Sequence, residues 1–270
     1  MILKGNSMRL PIYQIDAFAS AVFKGNPAAV VPLQKWLPDA AMQAIAAENN
    51  LSETAFFVPE GDGFGLRWFT PAVEVDLCGH ATLASAWVIF NKLDGSRSQI
   101  GFFTKSGTLT VTQDGESGRL AMDFPSRPPQ PVTACAGLIQ AIGAPPKEVL
   151  GAAKYLLVYD DPAIVRSLQP NMAGLMDIDR DGVIVTAPSD EDGVDCISRY
   201  FVPSKGVPED PVTGSAHCSV VPYWAKRLGK RDIVAYQASA RGGTLYCRDE
   251  GERVRLAGNC VPYLEGSIEL

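Results

Sequence analysis

Asp76-Leu77-Cys78-Gly79-His80-Ala81-Thr82 and Glu209-Asp210-Pro211-Val212-Thr213-Gly214-Ser215 are two Gly-containing turns that each open an apolar run, and their spacing decides the fold. A shift of about half the 270-residue chain lays Phe69-Thr70-Pro71 on Phe201-Val202-Pro203 and Gly79-His80-Ala81 on Gly214-Ser215-Ala216. It also lays Gly107-Thr108-Leu109 on Gly243-Thr244-Leu245 and Arg119-Leu120-Ala121 on Arg255-Leu256-Ala257. The four offsets are 132, 135, 136 and 136, in unbroken order. A repeat near half the length implies two domains of like fold rather than a solenoid. Accidental alignment of common dipeptides is the competing account. The halves run over residues 8–124 and 132–262. Pro125-Ser126-Arg127-Pro128-Pro129-Gln130-Pro131 reads as the linker, because its prolines remove backbone donors and fix φ. Residues 263–270 read as a C-terminal tail, and residues 1–7 as an extension ahead of Met8.

Within the first half, residues 9–18 alternate apolar and polar and predict a strand. A turn at Lys24-Gly25-Asn26-Pro27 precedes the apolar run 28–31. Asp39 is placed to cap a helix ending near Asn49-Asn50. Strands are expected over 54–58, 64–69, 100–104, 108–112 and 119–124, and a helix over 79–90. The second half predicts a helix over 134–142, strands over 155–159, 182–187 and 197–202, and a helix from Gly214. Several short strands around one strong helix per half make the class α+β. The missing regular βαβα alternation argues against Rossmann and TIM layouts.

Hydrophobic residues make up 46% and charged residues 20% of the chain, the balance of a globular protein. With Lys+Arg 24 against Asp+Glu 30, no basic stretch suits a row of phosphates, so nucleic acid is not expected as a partner. The longest apolar stretch, 77–90, is broken by His80, Thr82 and Ser85 and falls short of the ~20 residues of a bilayer span, so no membrane partner is expected either. A cytoplasmic location follows from the absence of a secretory apolar region at the N-terminus. Six cysteines, at 78, 135, 196, 218, 247 and 260, form no CxxC pair and read as buried thiols. With only His80 and His217, a zinc site would need unrelated loops to converge, so no metal is expected.

Helix N-termini carry unpaired N–H groups and partial positive charge, so two such turns facing a cleft form a receptor for a small carboxylate-bearing substrate. Simple capping is the bland alternative for either turn alone. Glu53 stands just before an apolar strand; it is either an edge glutamate in water or, if it faces the cleft, a general base with a pKa raised by partial burial. Asp210 sits between Pro208 and Pro211, and His80 at a predicted helix start. Ser215 and His217 lie two apart on a helix and do not face one another, and no GxSxG elbow exists. Gly61-Asp62-Gly63-Phe64-Gly65 leads into a strand and reads as a hairpin turn, not a nucleotide loop. A cofactor-free site remains, suited to proton transfer at carbon beside a carboxylate or carbonyl.

Tyr13-Gln14-Ile15-Asp16-Ala17-Phe18, Phe23-Lys24-Gly25-Asn26-Pro27-Ala28-Ala29-Val30, Asn50-Leu51-Ser52-Glu53-Thr54 and the two Gly turns together resemble the PhzF-like family of phenazine biosynthesis type, distant relatives of diaminopimelate epimerase. The resemblance spans nearly the whole chain from Met8. It implies two pseudo-symmetric domains, each a β-barrel-like sheet around a central helix, commonly in a homodimer. It implies an isomerase without metal or organic cofactor. Glu53 would move the proton, with His80 and Asp210 as further catalytic residues and Cys78, Gly79, Gly214 and Ser215 lining the substrate. The epimerase relatives use a thiol at each turn; here Cys78 stands at the first and none at the second, which disfavours a two-thiol racemase. Three functions stay open: a proton-moving isomerase, an epimerase or racemase of a small amino or hydroxy acid using Glu53 or Cys78, and a non-catalytic metabolite-binding protein. The substrate itself is not legible, because one fold serves many small acids.

Overall fold

Ala28-Ala29-Val30-Val31 is apolar without alternation, the pattern of a strand buried on both faces, and it lies in a parallel pair. The computed structural model describes residues 8–270, so the extension expected over residues 1–7 lies outside the described residues. In chain order come strands β1 (Arg9–Ala17) and β2 (Asn26–Pro32), helix α1 (Asp39–Asn49), and strands β3 (Glu53–Glu60), β4 (Gly63–Phe69) and β5 (Glu74–Val75). Helix α2 (Gly79–Val88), β6 (Gln99–Thr104), β7 (Gly107–Gln113), β8 (Leu120–Pro125) and β9 (Gln130–Pro131) follow. Then come α3 (Leu138–Ile142), β10 (Glu148–Gly151), β11 (Tyr155–Val158), α4 (Pro162–Ser167), β12 (Val183–Pro188), β13 (Cys196–Val202) and β14 (Val207–Glu209). Helix α5 (Gly214–Leu228), β15 (Asp232–Gln237), β16 (Gly243–Asp249), β17 (Arg253–Gly258) and β18 (Cys260–Glu269) complete the α+β chain.

Contacts divide it into two units. The first holds the described residues up to Phe23, Pro27–Met122 and Asn259–Leu270; the second holds Lys24–Asn26 and Asp123–Gly258. In the first, β2 runs parallel to β3 with Ala28 opposite Glu53, and β3 turns through Gly61-Asp62 into antiparallel β4 with Glu60 opposite Gly63. That is the hairpin the glycines predict, with Gly61 at φ 57°. β4 pairs antiparallel with β5 and parallel with β6, and β6, β7 and β8 form a meander. In the second, β11 runs parallel to β12, β12 antiparallel to β13, and β13 antiparallel to β14 and parallel to β15; β15, β16 and β17 form a meander. The same sequence of parallel and antiparallel steps thus occurs twice, each time with one helix, α2 or α5, inserted before the meander.

The repetition reaches the side chains. Arg67 on β4 donates to both carboxylate oxygens of Glu74, at 2.8 and 2.9 Å, with its guanidinium 5.2 Å from the Phe69 ring centre. Arg199 on β13 does the same to Glu209, at 2.7 and 2.9 Å, 4.8 Å from the Phe201 ring centre. Each fork latches the short strand that feeds the following helix. In the first unit Arg67 holds the Glu74 carboxyl down at about 2, against the opposing effect of burial.

Helix α2 is built to be enclosed. Ala81, Leu83, Ala84, Ala86 and Val88 are buried, and so are its polar residues, which is the signature of a helix covered on all sides. Its hydroxyls are satisfied within the helix: Thr82 Oγ1 donates to the Cys78 carbonyl at 2.6 Å and Ser85 Oγ to that of Ala81 at 2.8 Å. On the other side of β3, Met42 and Ile45 of α1 pack with Val31, Phe56 and Phe69. The second unit's core gathers Leu138, Tyr155, Leu157, Val165, Val183, Val185, Ile197 and Phe201.

Three local expectations change. The helix expected over 134–142 is confined to Leu138–Ile142, because Gly137, at φ 81°, leaves the helical region. Asp39 is the first residue of α1 rather than its cap; Pro38 takes that position, and the Asp39 carboxylate accepts from Arg67 at 2.8 Å. Of residues 263–270, set apart as a tail, all but Leu270 belong to β18, which pairs antiparallel with β1 from Arg9 opposite Glu269 to Ala17 opposite Cys260. Within the proline-rich segment, Ser126 N–H donates to the Glu252 carbonyl at 2.8 Å, and β9 pairs with β10. Among the described residues no helix is long and apolar enough to cross a membrane.

Candidate active site

Glu53 is the first residue of β3, where the parallel partnership with β2 begins, and its side chain is 19% exposed. Cys78, extended at φ −144°, is the residue from which α2 starts, and it makes no side-chain cap. Gly79 and His80 form the first turn, Gly79 half-buried and His80 buried. The first unit therefore brings together three of the residues singled out in the sequence. His80 Nε2 lies 3.1 Å from Glu53 Oε2, and Cys78 Sγ lies 3.5 Å from His80 Nδ1. The Glu53 oxygen is close enough to His80 Nε2 for an ion pair. It is buried and has no hydrogen-bond partner among the described residues.

Electrostatics divides the labour within this triad. Burial alone would depress the His80 pKa, but Cys78 and Glu53 beside the ring outweigh it, and the pKa rises well above the usual imidazole value. Burial, reinforced by the nearby Glu53 charge, pushes the Cys78 thiol up to about 11. A thiol so placed is protonated at neutral pH.

Asp210, Gly214 and Ser215 belong to the second unit. Asp210 follows β14, and its N–H donates to the Tyr200 carbonyl at 3.0 Å. Its carboxylate accepts from Asn26 Nδ2 at 2.8 Å and from the Thr213 hydroxyl. The fully buried Gln237 spans the turn: its Oε1 accepts from Thr213 N–H at 2.8 Å and its Nε2 donates to the Asp210 carbonyl at 2.7 Å. Gly214 is buried at the start of α5, and Ser215 is exposed. Sequence reading passes over the three residues that hold Asp210. Asn26 and Thr213 stand in quoted motifs, the Lys24-Gly25-Asn26-Pro27 turn and the second Gly turn; Gln237 carries no signal, because its meeting with the turn depends on β15 lying beside it.

His217 faces away from this chemistry. It is fully buried, its Nδ1–H donates to the Thr213 carbonyl at 2.8 Å, and burial pulls its pKa down to about 4. With Ser215 exposed and His217 enclosed, the two do not form a nucleophile and base. An apolar groove of about 710 Å³, lined by Ala41, Ile45, Ile268 and Leu270 among others, touches none of Glu53, Cys78 or His80. It is not part of the candidate site.

Comparison with known proteins supplies the family. The family's sequence model, described as phenazine biosynthesis-like protein, matches residues 15–266. An uncharacterized isomerase of Pseudomonas aeruginosa is 52% identical over 263 residues, covering 97% of this chain and 100% of that protein. A PhzF-family phenazine biosynthesis protein of Enterococcus faecalis has a structure similar to this one, with a TM-score of 0.93 at 45% identity, covering 97% of this chain and 100% of that one. A hydroxyproline epimerase of Agrobacterium vitis reaches a TM-score of 0.60 at 8% identity, over 97% of this chain and 93% of its own, which shows a shared epimerase-like fold alone. The chain belongs to the PhzC-PhzF family of phenazine biosynthesis-like proteins, and it is an isomerase of that family.

Proposed function

We propose that the protein moves a proton between carbon atoms of a small carboxylate-bearing metabolite, with Glu53 as general acid and base. The observation that carries this reading is the clustering of Glu53, Cys78 and His80, with the buried Glu53 Oε2 3.1 Å from His80 Nε2. A carboxylate held beside the ring and still 19% exposed is fixed in place yet reachable, as a general base must be.

The chemistry follows from these two groups. Glu53 removes a proton from the carbon α or γ to a carboxylate or carbonyl, and the C–H electron pair moves into the conjugated system toward the oxygen. The His80 imidazolium stabilises the charge developing there. The protonated Glu53 then returns its proton at a different carbon, the double bond migrates, and the enzyme ends as it began. Cys78 and Gly79 contact the substrate.

A metabolite library incubated in D₂O and read by NMR tests the reading. Turned-over ligands should show a shifted double bond, with deuterium at the receiving carbon to the extent that the proton on Glu53 exchanges with solvent before its return, and Glu53→Gln should lower turnover about 10²–10⁴-fold, the usual contribution of a positioned acid–base group. Wild-type turnover in the Gln variant rejects the role of Glu53. Inversion of a stereocentre without migration, lost in Cys78→Ser and kept in Glu53→Gln, would replace the isomerisation with thiol-based epimerisation.

A further inference from the structure

Strand register carries the repeat of the two units down to single residues. Thr54 lies opposite Phe69 in the first unit and Val183 opposite Phe201 in the second, so Gly182 stands where the first unit has Glu53. On the parallel neighbour, Ala29 lies opposite Thr54 and Tyr155 opposite Val183, which makes Lys154 the counterpart of Ala28, the residue opposite Glu53. No side chain fits at Gly182: its φ is +88°, and a Cβ there would lie 2.6 Å from the Phe201 carbonyl oxygen and 2.8 Å from the Tyr200 ring. The second unit therefore has no carboxylate at this register. Its charged group there, one strand over, is a cation.

Tyr155 and Phe201 point into the core of the unit, so Lys154 and Tyr200, each one residue removed, share the opposite face, on which Trp224 of α5 meets Thr186. Lys154 is half-buried, its Nζ is 5.5 Å from the Tyr200 ring centre, and it makes no ion pair among the described residues. The carboxylates that act on it through space are engaged elsewhere, Asp181 with Lys205 at 3.6 Å and Asp210 with Asn26 and Thr213. Arg127, whose backbone N–H meets the Cys218 carbonyl, adds a second positive charge acting on Lys154 and on the Cys218 thiol, and its side chain also lacks an ion pair among the described residues. Burial, opposed chiefly by Asp181 and aided by Arg127, holds the Lys154 pKa below the ordinary lysine value. A half-buried cation with another cation near it and no counter-ion is electrostatically costly, and a bound anion relieves that cost.

We propose that Lys154, backed by Arg127, forms a binding site in the second unit for a small carboxylate anion. The carboxylate accepts from the Lys154 ammonium, and the Tyr200 ring gives its hydrocarbon body an apolar flank. A single negative charge suits the site, because Asp181 and Asp210 repel a dianion such as phosphate. The groups involved all belong to the second unit, so the site stands whether or not Glu53 moves a proton.

The intact chain, carrying ¹³C at the lysine ε-carbons, is titrated with benzoate, benzamide and inorganic phosphate, the Lys154 signal being assigned by its absence in Lys154→Arg. Benzoate should shift that signal to saturation and raise its pH midpoint, since a bound carboxylate favours the charged ammonium. Benzamide, neutral and of similar shape, should leave it in place, and phosphate should bind more weakly than benzoate. Lys154→Met should weaken benzoate binding about tenfold or more, the worth of a hydrogen bond to a charged group. Lys147→Met, at an exposed lysine already paired with Asp160, should leave binding unchanged. The site is overturned if benzoate leaves the Lys154 signal unmoved, if benzamide shifts it equally, or if Lys154→Met binds benzoate as the wild type does. Tighter binding of phosphate overturns the carboxylate assignment. The wild-type titrations decide the matter even where the methionine variant does not fold.

Discussion

The backbone N–H of Arg127 donates to the Cys218 carbonyl at 2.9 Å, and it does so where Pro222, inside α5, leaves that carbonyl without its i+4 donor. The proline-rich segment expected as a linker is thereby anchored to the helix it passes. The Arg127 amide should exchange with deuterium as slowly as the neighbouring α5 amides. Pro222→Ala introduces a competing N–H one turn along, so Arg127 protection should fall at least tenfold in that variant; unchanged protection would show that the proline is irrelevant to the contact.

The two histidines should titrate in opposite directions. His80, raised well above its ordinary value, should keep charged-ring NMR shifts through neutral pH. Its contribution to stability is complete below about 6.5 and declines as pH rises through the folded-state value. His217, lowered from 6.5 to about 4, stays neutral in the folded chain while the unfolded chain takes up the proton. Stability should therefore fall between about pH 6.5 and 4, by roughly 3 kcal/mol from this residue. Denaturant midpoints across that interval for wild type and His217→Gln provide the check, the variant showing the shallower slope.

Gln237→Leu keeps the approximate volume and removes all three bonds of the turn-spanning amide, the third being the one from Nε2 to the Thr213 hydroxyl at 3.3 Å. The Thr213 N–H and Asp210 carbonyl then lose a partner each, for a loss of about 2–4 kcal/mol in urea unfolding. Gln237→Glu retains the acceptor toward Thr213 but not the donor toward the Asp210 carbonyl, and should fall between the two.

Arg199 and Arg67 make the same bidentate contact in different surroundings. The Arg199 side chain is 9% exposed and also donates to the Val165 and Leu168 carbonyls; that of Arg67 is 20% exposed and reaches the exposed Asp39. Arg199→Met should cost about 3–5 kcal/mol, the range for breaking a buried pair, and Arg67→Met distinctly less. Lysine should rescue neither, since an ammonium cannot reproduce the planar fork. Equal losses at both positions would contradict this ranking.

Much of the fold is written in short-range pattern. Alternation along 9–18 and the apolar runs at 54–58 and 64–69 mark β1, β3 and β4, and the glycines at 79 and 214 mark the helix starts. β18 escapes such a reading because its residues are nearly all exposed and no face alternates. The shortening of α3 depends on the left-handed φ of Gly137, which composition alone does not announce. In the candidate site, Cys78 and His80 are two residues apart and visible together. Their closeness to Glu53 requires β3 to lie against α2, and the grip of Asn26 and Gln237 on Asp210 requires parts of the chain about 184 and 27 residues away.

Pairing the first strand with the last has a consequence for biosynthesis. On the ribosome, every strand of the second unit is available before β18 emerges, so that unit can close while the first still lacks one of the two neighbours of β1, whose other neighbour is β2. A nascent chain held at that stage presents an unfilled strand edge, which invites pairing with other chains. Order of synthesis and order of completion are thus reversed: the unit begun first is finished last.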